Sequence, residues 1–403
     1  MTPPRLEDAI SKRIDGFAER IRLLKEAGLY YYNQPISEML DESKVKVRGR
    51  IMQMYASYSY LGLIGHPRIN AAAKAAVDRY GTGTHGVRTL AGTLDVHNEL
   101  EETIANFKGA ETAITYTSGY ATNLTVVSTL LGRHDYVFSD RLNHASIVDG
   151  CMMSGAKFVR FKHNDLNDLE RVLEEAPASA AKLIIADSVF SMDGDIIDLP
   201  RIVELSRKHH AWLMIDEAHS IGVLGKTGRG IEEHYGMEGV IDIKMGTLSK
   251  TIPSVGGYVA GNHDMINYLR HASRAYIFSA ALPPAQAAAA NEAFKVILDE
   301  PWRIEKLTAN GTQFIKGLQS RGFDTMLTET AIVPVLCGED DLAYALTRNV
   351  QERDIFVLPV VSPAVEQGKA RLRATVTAAH ESADIERAMD IIAEEGKKLG
   401  VLK

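Results

Sequence analysis

Cysteine is scarce in this chain: Cys151 and Cys337 are the only two among 403 residues. Two cannot build a disulfide framework, and they fit a reducing compartment. Neither has a nearby ligand partner, and the Asp and His pairs lack the spacing of a zinc site, so no metal is expected. Long apolar runs are missing too, and the longest fall far short of the roughly 20 residues that span a bilayer. Positive charge is not in excess. Lys and Arg number 45 against 52 Asp and Glu, a net charge of −7, so there is no basic field for nucleic acid. Met1-Thr2-Pro3-Pro4-Arg5 has no apolar signal-peptide core. Internal repeats, low-complexity tracts and long flexible linkers are absent as well. A soluble cytoplasmic protein is the expectation.

What is present is ordinary globular composition, 45% hydrophobic and 24% charged. The length suffices for a large core and predicts one large and one small domain. Leu6, Ile10, Ile14, Phe17, Ile21 and Leu24 recur at helical spacing, which predicts an amphipathic helix over 5–27. Its polar face carries both signs, so packing on the body or on a second subunit is expected rather than a membrane surface. Residues 50–60 read as extended, and Pro67–Tyr80 as a helix ended by Gly81. Ala113–Tyr116, Tyr136–Phe138, Phe158–Phe161, Leu183–Ala186, Trp212–Ile215 and Ile243–Met245 are strand candidates alternating with helical segments. Several are nearly continuous in apolar residues, as strands covered on both faces are. The fold class is therefore α/β, with a mostly parallel sheet and sites at strand ends. From about 290 a long helix, strands at Ala331–Leu336 and Arg371–Thr377, and a helix from Ser382 predict a smaller C-terminal α+β domain. The expected division is 1–60, an N-terminal helix and extended segment; 61–289, the large domain; and 290–403, the small domain.

Three motifs mislead. Gly81-Thr82-Gly83-Thr84-His85-Gly86 spells GxGxxG, but a helix-like segment precedes it where a dinucleotide site needs a strand. Asp216-Glu217-Ala218-His219 spells the DEAH box of helicases, and Gly225-Lys226-Thr227 the end of a phosphate loop. The first glycine of such a loop is replaced by Ser220, and the order of the two motifs is reversed.

The informative pattern runs from Asp216 to Gly261. Lys250, in Gly246-Thr247-Leu248-Ser249-Lys250, lies beside small hydroxyls and precedes Gly256-Gly257. Pyridoxal 5'-phosphate (PLP) needs an amine for its aldehyde, an acid for its ring nitrogen and donors for its phosphate. Asp216 ends an apolar strand and can keep a pyridinium protonated. His219 can reach the ring hydroxyl, and Ala218 is small enough to lie beneath a flat ring. Lys250 is the amine, and serves as the base at the amino-acid α-carbon if its pKa is lowered. Thr247 and Ser249 suit phosphate oxygens. So does Ser118-Gly119-Tyr120, where a strand passes into the helical run Ala121–Leu131. His144 can stack on the pyridine face. Arg373 can clamp a carboxylate through its planar fork, with Arg371 as the competing choice.

Together these segments resemble the α-oxoamine synthase family of fold-type-I PLP enzymes, whose architecture is aspartate aminotransferase-like. The resemblance runs from Tyr60-Leu61-Gly62 to Ala378-Ala379-His380. It includes Gly92-Thr93, Thr117-Ser118-Gly119-Tyr120, Asn143-His144-Ala145-Ser146, Phe190-Ser191-Met192-Asp193-Gly194-Asp195 and the Asp216 and Lys250 segments. It implies that His144 stacks on PLP, Asp216 holds the ring nitrogen, His219 the phenolic oxygen, and Thr247 and Ser249 the phosphate. Ser188 is expected among the cofactor-binding residues, and Ser279 is expected to reach phosphate from the neighbouring subunit, which implies a homodimer with sites at its interface. Ser59 stands where the family has an Asn near the amino-acid carboxylate, and Asp187 where a Glu is common. The implied reaction is decarboxylative condensation of a small amino acid (glycine, alanine or serine) with an acyl thioester, on CoA or an acyl-carrier protein. It gives an α-amino ketone, CO2 and free thiol. Transamination or decarboxylation on the same fold is the alternative, and a non-catalytic partner subunit is the rival from another class.

Overall fold

The computed structural model describes residues 8–402. The first helix is Ala9–Glu26; residues 5–7 of the expected helix, with Leu6, lie outside the described residues. Asp8 caps it, accepting from the N–H groups of Ile10 and Ser11, both at 2.8 Å. The body of the chain leaves its apolar stripe uncovered: Ile10, Ile14 and Phe17 are 65%, 53% and 66% exposed.

Strands β1 (Ile36–Met39), β2 (Lys44–Val47) and β3 (Arg50–Met54) follow as an antiparallel meander. Only the first half of the extended stretch expected over 50–60 is strand. The rest leads inward, with Tyr55 and Tyr60 fully buried. Helix Pro67–Tyr80 has the expected bounds. Proline sits in its first turn, where a missing N–H leaves no bond unmade, and Gly81 ends it at φ +77°. The GxGxxG segment thus follows a helix and has no dinucleotide geometry.

Among the described residues the central sheet has seven strands. They are β4 (Thr112–Tyr116), β5 (Tyr136–Asp140), β6 (Lys157–Phe161), β7 (Lys182–Asp187), β8 (Trp212–Asp216), β9 (Ile243–Ser249) and β10 (Pro253–Gly261). Their spatial order is β4-β10-β9-β8-β7-β5-β6. All six predicted strands are present and extend by one to four residues. The unpredicted one is β10, antiparallel to both its neighbours. The other neighbouring pairs are parallel. Leu183 and Ile185 join one apolar cluster while Ile184 and Ala186 join the other, so both faces of β7 are covered. Full burial of each such isoleucine or leucine stabilises by about 1.5–3 kcal/mol.

The single long helix expected from 290 is two helices, Pro284–Asp299 and Trp302–Ser320. Pro301 breaks the run because it lacks an N–H and its ring clashes with the preceding turn. The boundary expected at 289/290 falls inside the first of these. Beyond them β11 (Ile332–Gly338), β12 (Ile355–Phe356), β13 (Leu358–Val360) and β14 (Ala370–Thr375) flank an unpredicted helix, Asp340–Gln351. The antiparallel order is β11-β14-β13, while β12 pairs in parallel with β3 and ties the N-terminal meander to this region. Helix Ser382–Lys398 follows, as expected. No helix among the described residues is long and apolar enough to cross a membrane.

Candidate active site

Asp216 and Asp187 are register partners at the carboxyl ends of the adjacent strands β8 and β7, where parallel sheets place their ligands. A cavity of about 250 Å³ opens beyond them. It is lined by Ser118, Gly119, Tyr120, His144, Asp216, Ala218, His219, Thr247, Ser249 and Lys250, ten residues singled out from sequence. Asn123, Ser146, Asp187, Ser191 and Met245 complete the wall.

Lys250 follows the end of β9, in the irregular turn before β10. Its Nζ lies 2.9 Å from His219 Nε2 and 5.6 Å from the centre of the Tyr58 ring. Burial brings its pKa down to about 8, against the opposing charges of Asp216 and Asp187. His219 is held on its other side by Tyr60, whose hydroxyl is 2.6 Å from Nδ1. Burial pushes the Tyr60 phenol up to about 12, and burial followed by the Lys250 charge pushes His219 well below its ordinary range. Both groups are therefore neutral, and one hydrogen bond joins the phenol to Nδ1, which leaves Nε2 facing Lys250 and the cavity.

Both oxygens of Asp216 are engaged. Oδ1 accepts the Ala218 N–H at 2.9 Å and Oδ2 accepts Asn123 Nδ2 at 2.7 Å. Asn123 also donates to Ser146 Oγ at 3.0 Å, and Ser146 Oγ is 2.7 Å from His144 Nδ1. One chain of hydrogen bonds thus fixes both the acid and the histidine. His144 stands edge-on to Tyr120 at the cavity wall, and its N–H donates to Asp187 at 3.1 Å. Burial, and next the charge of Asp216, raise Asp187 well above the carboxylate range.

The far end of the cavity collects donors. Ser118 caps helix Gly119–Leu130, accepting the Ala121 N–H at 3.1 Å. The first-turn N–H groups of Gly119 and Tyr120 have no intrahelical acceptor and carry the positive end of the helix dipole. Thr247 Oγ1 and Ser249 Oγ are 2.8 Å apart beside them. A Cβ on Gly257 would lie 2.4 Å from Thr122 Oγ1 and 2.7 Å from Gly119 Cα, so only glycine lets β10 pass this close beneath the helix N-terminus.

Four expected residues do not line the cavity. Ser188 is fully buried behind it, with its hydroxyl and N–H both directed at the Asp216 carbonyl, each at 2.9 Å. It braces the acid, and the serine that faces the cavity is Ser191. Ser279 lies away from this chain's own cavity, beside the 72%-exposed Phe278. Ser59 is buried, and its Oγ has no hydrogen-bond partner among the described residues. Arg373 donates through Nε to the Ser191 carbonyl at 2.7 Å and through Nη1 to Thr375 at 3.0 Å. Its buried Nη2 has no partner among the described residues. The guanidinium lies 4.9 Å from the centre of the Tyr58 ring, which also faces Lys250. Arg371, in contrast, is committed to Asp193 at 2.8 Å. The open donor therefore belongs to Arg373.

Sequence reasoning missed Asn123, Ser146, Tyr58 and Tyr60 as members of the site. Thr122-Asn123 was the available signal for the first: polar residues on the buried face of an otherwise apolar helix. The arrangement fits PLP: an amine at one wall, a braced carboxylate at the other, a helix N-terminus with two hydroxyls, and an orphaned arginine donor for a carboxylate.

Residues 54–392 match the aminotransferase class I and II family. An 8-amino-7-oxononanoate synthase of Geobacter sulfurreducens is 44% identical over 96% of this chain and 99% of that protein. A serine palmitoyltransferase of Sphingobacterium spiritivorum is 40% identical over 94% of this chain and 95% of its own length. The solved serine palmitoyltransferase of Sphingomonas wittichii superposes with a TM-score of 0.95 at 35% identity, covering 98% of this chain and all of the other. With a matched family model over most of its length and relatives of this identity, the chain belongs to the aminotransferase class I and II family, on its α-oxoamine synthase branch.

Proposed function

We propose that this protein is a PLP-dependent acyltransferase. It condenses a small L-amino acid with an acyl thioester, releasing CO2 and the free thiol and yielding an α-amino ketone. The observation that carries this reading is the placement of Lys250. A buried amine with its pKa lowered to about 8 shares one cavity with a carboxylate fixed by two donors and adjoins an arginine with an unused N–H. PLP, when bound, supplies an aldehyde for the amino group and a ring that takes up charge from the α-carbon.

The residues divide the remaining work. With PLP bound, Lys250 would hold its aldehyde and take the proton from the amino-acid α-carbon. Asp216, its two oxygens fixed by Asn123 and the Ala218 N–H, would hold a proton at the ring nitrogen. His219, anchored by Tyr60 at Nδ1, would turn Nε2 to the ring oxygen. His144 would lie against the ring. The helix N-terminus at Gly119 and Tyr120, with Thr247 and Ser249, takes the phosphate. Arg373 Nη2 takes the substrate carboxylate and thereby orients the α-carbon toward Lys250.

The protein works as a homodimer in the cytoplasm, with Ser279 completing the partner's phosphate site. The uncovered apolar stripe of helix Ala9–Glu26 supports pairing with a second copy. The test is release of free thiol from an acyl thioester by the PLP-loaded protein. It should need the amino acid and the thioester together. Conversion of the amino acid to an oxo acid without thiol release would replace this reading with transamination.

A further inference from the structure

One aromatic ring meets both of the groups that would hold the amino acid. The Tyr58 ring centre lies 5.6 Å from Lys250 Nζ and 4.9 Å from the Arg373 guanidinium. The same ring stands edge-on to His219, with centroids 5.9 Å apart and planes at 64°. Lys250 and His219 line the cavity of about 250 Å³, and Arg373 adjoins it through the Ser191 carbonyl. These partners come from two sheets: His219 and Lys250 follow β8 and β9, and Arg373 sits on β14. Tyr58 belongs to neither sheet. It lies in the segment between β3 and helix Pro67–Tyr80.

That segment is fastened on both sides of Tyr58. The Tyr55 carbonyl accepts the Thr375 N–H and the Tyr60 carbonyl accepts the Ala378 N–H, both at 2.8 Å. The Tyr60 N–H closes a tight turn onto the Tyr58 carbonyl at 2.9 Å, and its hydroxyl is 2.6 Å from His219. The backbone that carries the ring is thus tied to β14 and its continuation, while Tyr60 is tied to the cavity wall. Tyr55, Ser59 and Tyr60 are buried, whereas Tyr58 is 42% exposed. Core packing accounts for its neighbours and not for Tyr58. A ring face attracts cations, and here two cationic side chains share one ring.

An amino acid whose carboxylate takes Arg373 Nη2 and whose α-carbon reaches Lys250 must lie across this ring, because the ring touches both anchors. Atoms beyond its α-carbon then compete with the ring for space. We propose that Tyr58 determines which amino acids are accepted: its ring walls the space between Lys250 and Arg373 and admits only short side chains. The inference rests on the condensation reading above and names the residue that sets its amino-acid range.

The test is spectral titration of the PLP-loaded protein with glycine, L-alanine, L-serine and L-leucine, which reads binding and not turnover. The quantity of interest is the ratio of the L-leucine Kd to that of the tightest small amino acid. One methylene in an apolar pocket is worth roughly 10- to 200-fold, so this ratio should exceed about a hundred in the wild type. Tyr58→Ala should lower it by at least about tenfold. Tyr58→Phe, which keeps the ring, should hold it near the wild-type value. Tyr58→Trp should raise it, and this opposite change decides the matter if the alanine variant fails to fold. The urea midpoint and retained PLP absorbance show which variants are folded. A merely structural role would weaken all four amino acids alike and leave the ratio unmoved. A folded Tyr58→Ala or Tyr58→Trp with the wild-type ratio overturns the proposal. So does a Tyr58→Phe that loses as much selectivity as Tyr58→Ala, or a wild type that binds L-leucine as well as the small amino acids. Any of these leaves the condensation reading standing if thiol release still requires an amino acid. Absence of thiol release, with the ratio shifting as expected, would overturn that reading and not the role of Tyr58.

Discussion

Lys250 Nζ and His219 Nε2 lie 2.9 Å apart in a cavity where burial lowers the pKa of both. Two basic nitrogens can share such a site only when at most one is charged, and burial followed by the lysine's charge keeps the imidazole neutral. The lysine is thus the group that titrates. An ordinary lysine keeps its proton to above pH 10, whereas this one releases it near pH 8. The neutral amine is the form that attacks an aldehyde. Reconstitution of the cofactor-free protein with PLP, followed by absorbance, should therefore quicken with rising pH and level off above about 8. A rate still climbing steeply at pH 10 would show an unperturbed lysine.

Glycine at 257 is a condition for the phosphate end of the cavity. Alanine there would place its Cβ 2.4 Å from Thr122 Oγ1 and 2.7 Å from Gly119 Cα, which forces the helix N-terminus away from Thr247. Overpacking of this kind costs about 1–3 kcal/mol. Gly257→Ala should weaken PLP binding by about tenfold or more, in line with roughly 1.4 kcal/mol per decade. Equilibrium dialysis of PLP against the variant measures it, and wild-type affinity would mean that β10 can retreat instead.

How far the sequence discloses this site differs from residue to residue, for physical reasons. Strands buried on both faces, such as β7, announce themselves as apolar runs. Strand β10 does not, because Pro253, Gly256, Gly257 and Gly261 give it the composition of a loop. Gly257 is there to let Thr122 and Gly119 approach, a demand visible only in three dimensions. Lys250, Asp216 and His219 are legible because ionisable groups at strand ends point to chemistry. Asn123 and Tyr60 act on them through hydrogen bonds across 93 and 159 positions of sequence, and no local spacing encodes such pairs. The exchange of Ser188 for Ser191 has the same origin. Both are serines following β7, and only the course of the loop decides that one braces Asp216 while the other faces the cavity.

His163 predicts a pH dependence of stability. Burial alone would keep this imidazole neutral, but hydrogen bonds to Asp140 at 3.2 Å and Asp195 at 3.1 Å outweigh it and raise its pKa to about 10. The folded value lies above the unfolded value of about 6.5. The stabilisation is therefore complete below about pH 6.5 and is lost as pH rises through about 10. Its size is on the order of 3 kcal/mol, discounted for the partly exposed ring. His163→Gln should be destabilised by about that amount in urea unfolding at pH 6, and the gap from wild type should shrink above pH 10. A gap that stays constant across this range would mean that packing against Phe190, not charge, is what the ring contributes.

Arg371 and Arg373 sit two residues apart on β14, yet opposite losses are expected from them. The Arg371 side chain is 3% exposed and ion-paired with Asp193 at 2.8 Å, so Arg371→Ala strands a largely buried carboxylate. Breaking a buried pair from one side costs about 3–5 kcal/mol, and the variant should show this first as a lower urea midpoint. Among the described residues Arg373 Nη2 has no partner, so truncation removes the hydrogen bonds to Ser191 and Thr375, at about 1 kcal/mol each, and the contact with the Tyr58 ring. What Arg373→Ala should lose is the charge-assisted bond to the substrate carboxylate, about 1.5–3 kcal/mol, or roughly a ten- to hundredfold rise in the amino-acid KM. Arg373→Lys should recover only part of it, since an ammonium cannot present the planar fork. Measuring the urea midpoint and amino-acid KM side by side for both alanine variants separates the roles. If Arg371→Ala raises KM at wild-type stability while Arg373→Ala leaves KM alone, the carboxylate site belongs to Arg371. Asp193 would then be the residue that yields when substrate arrives.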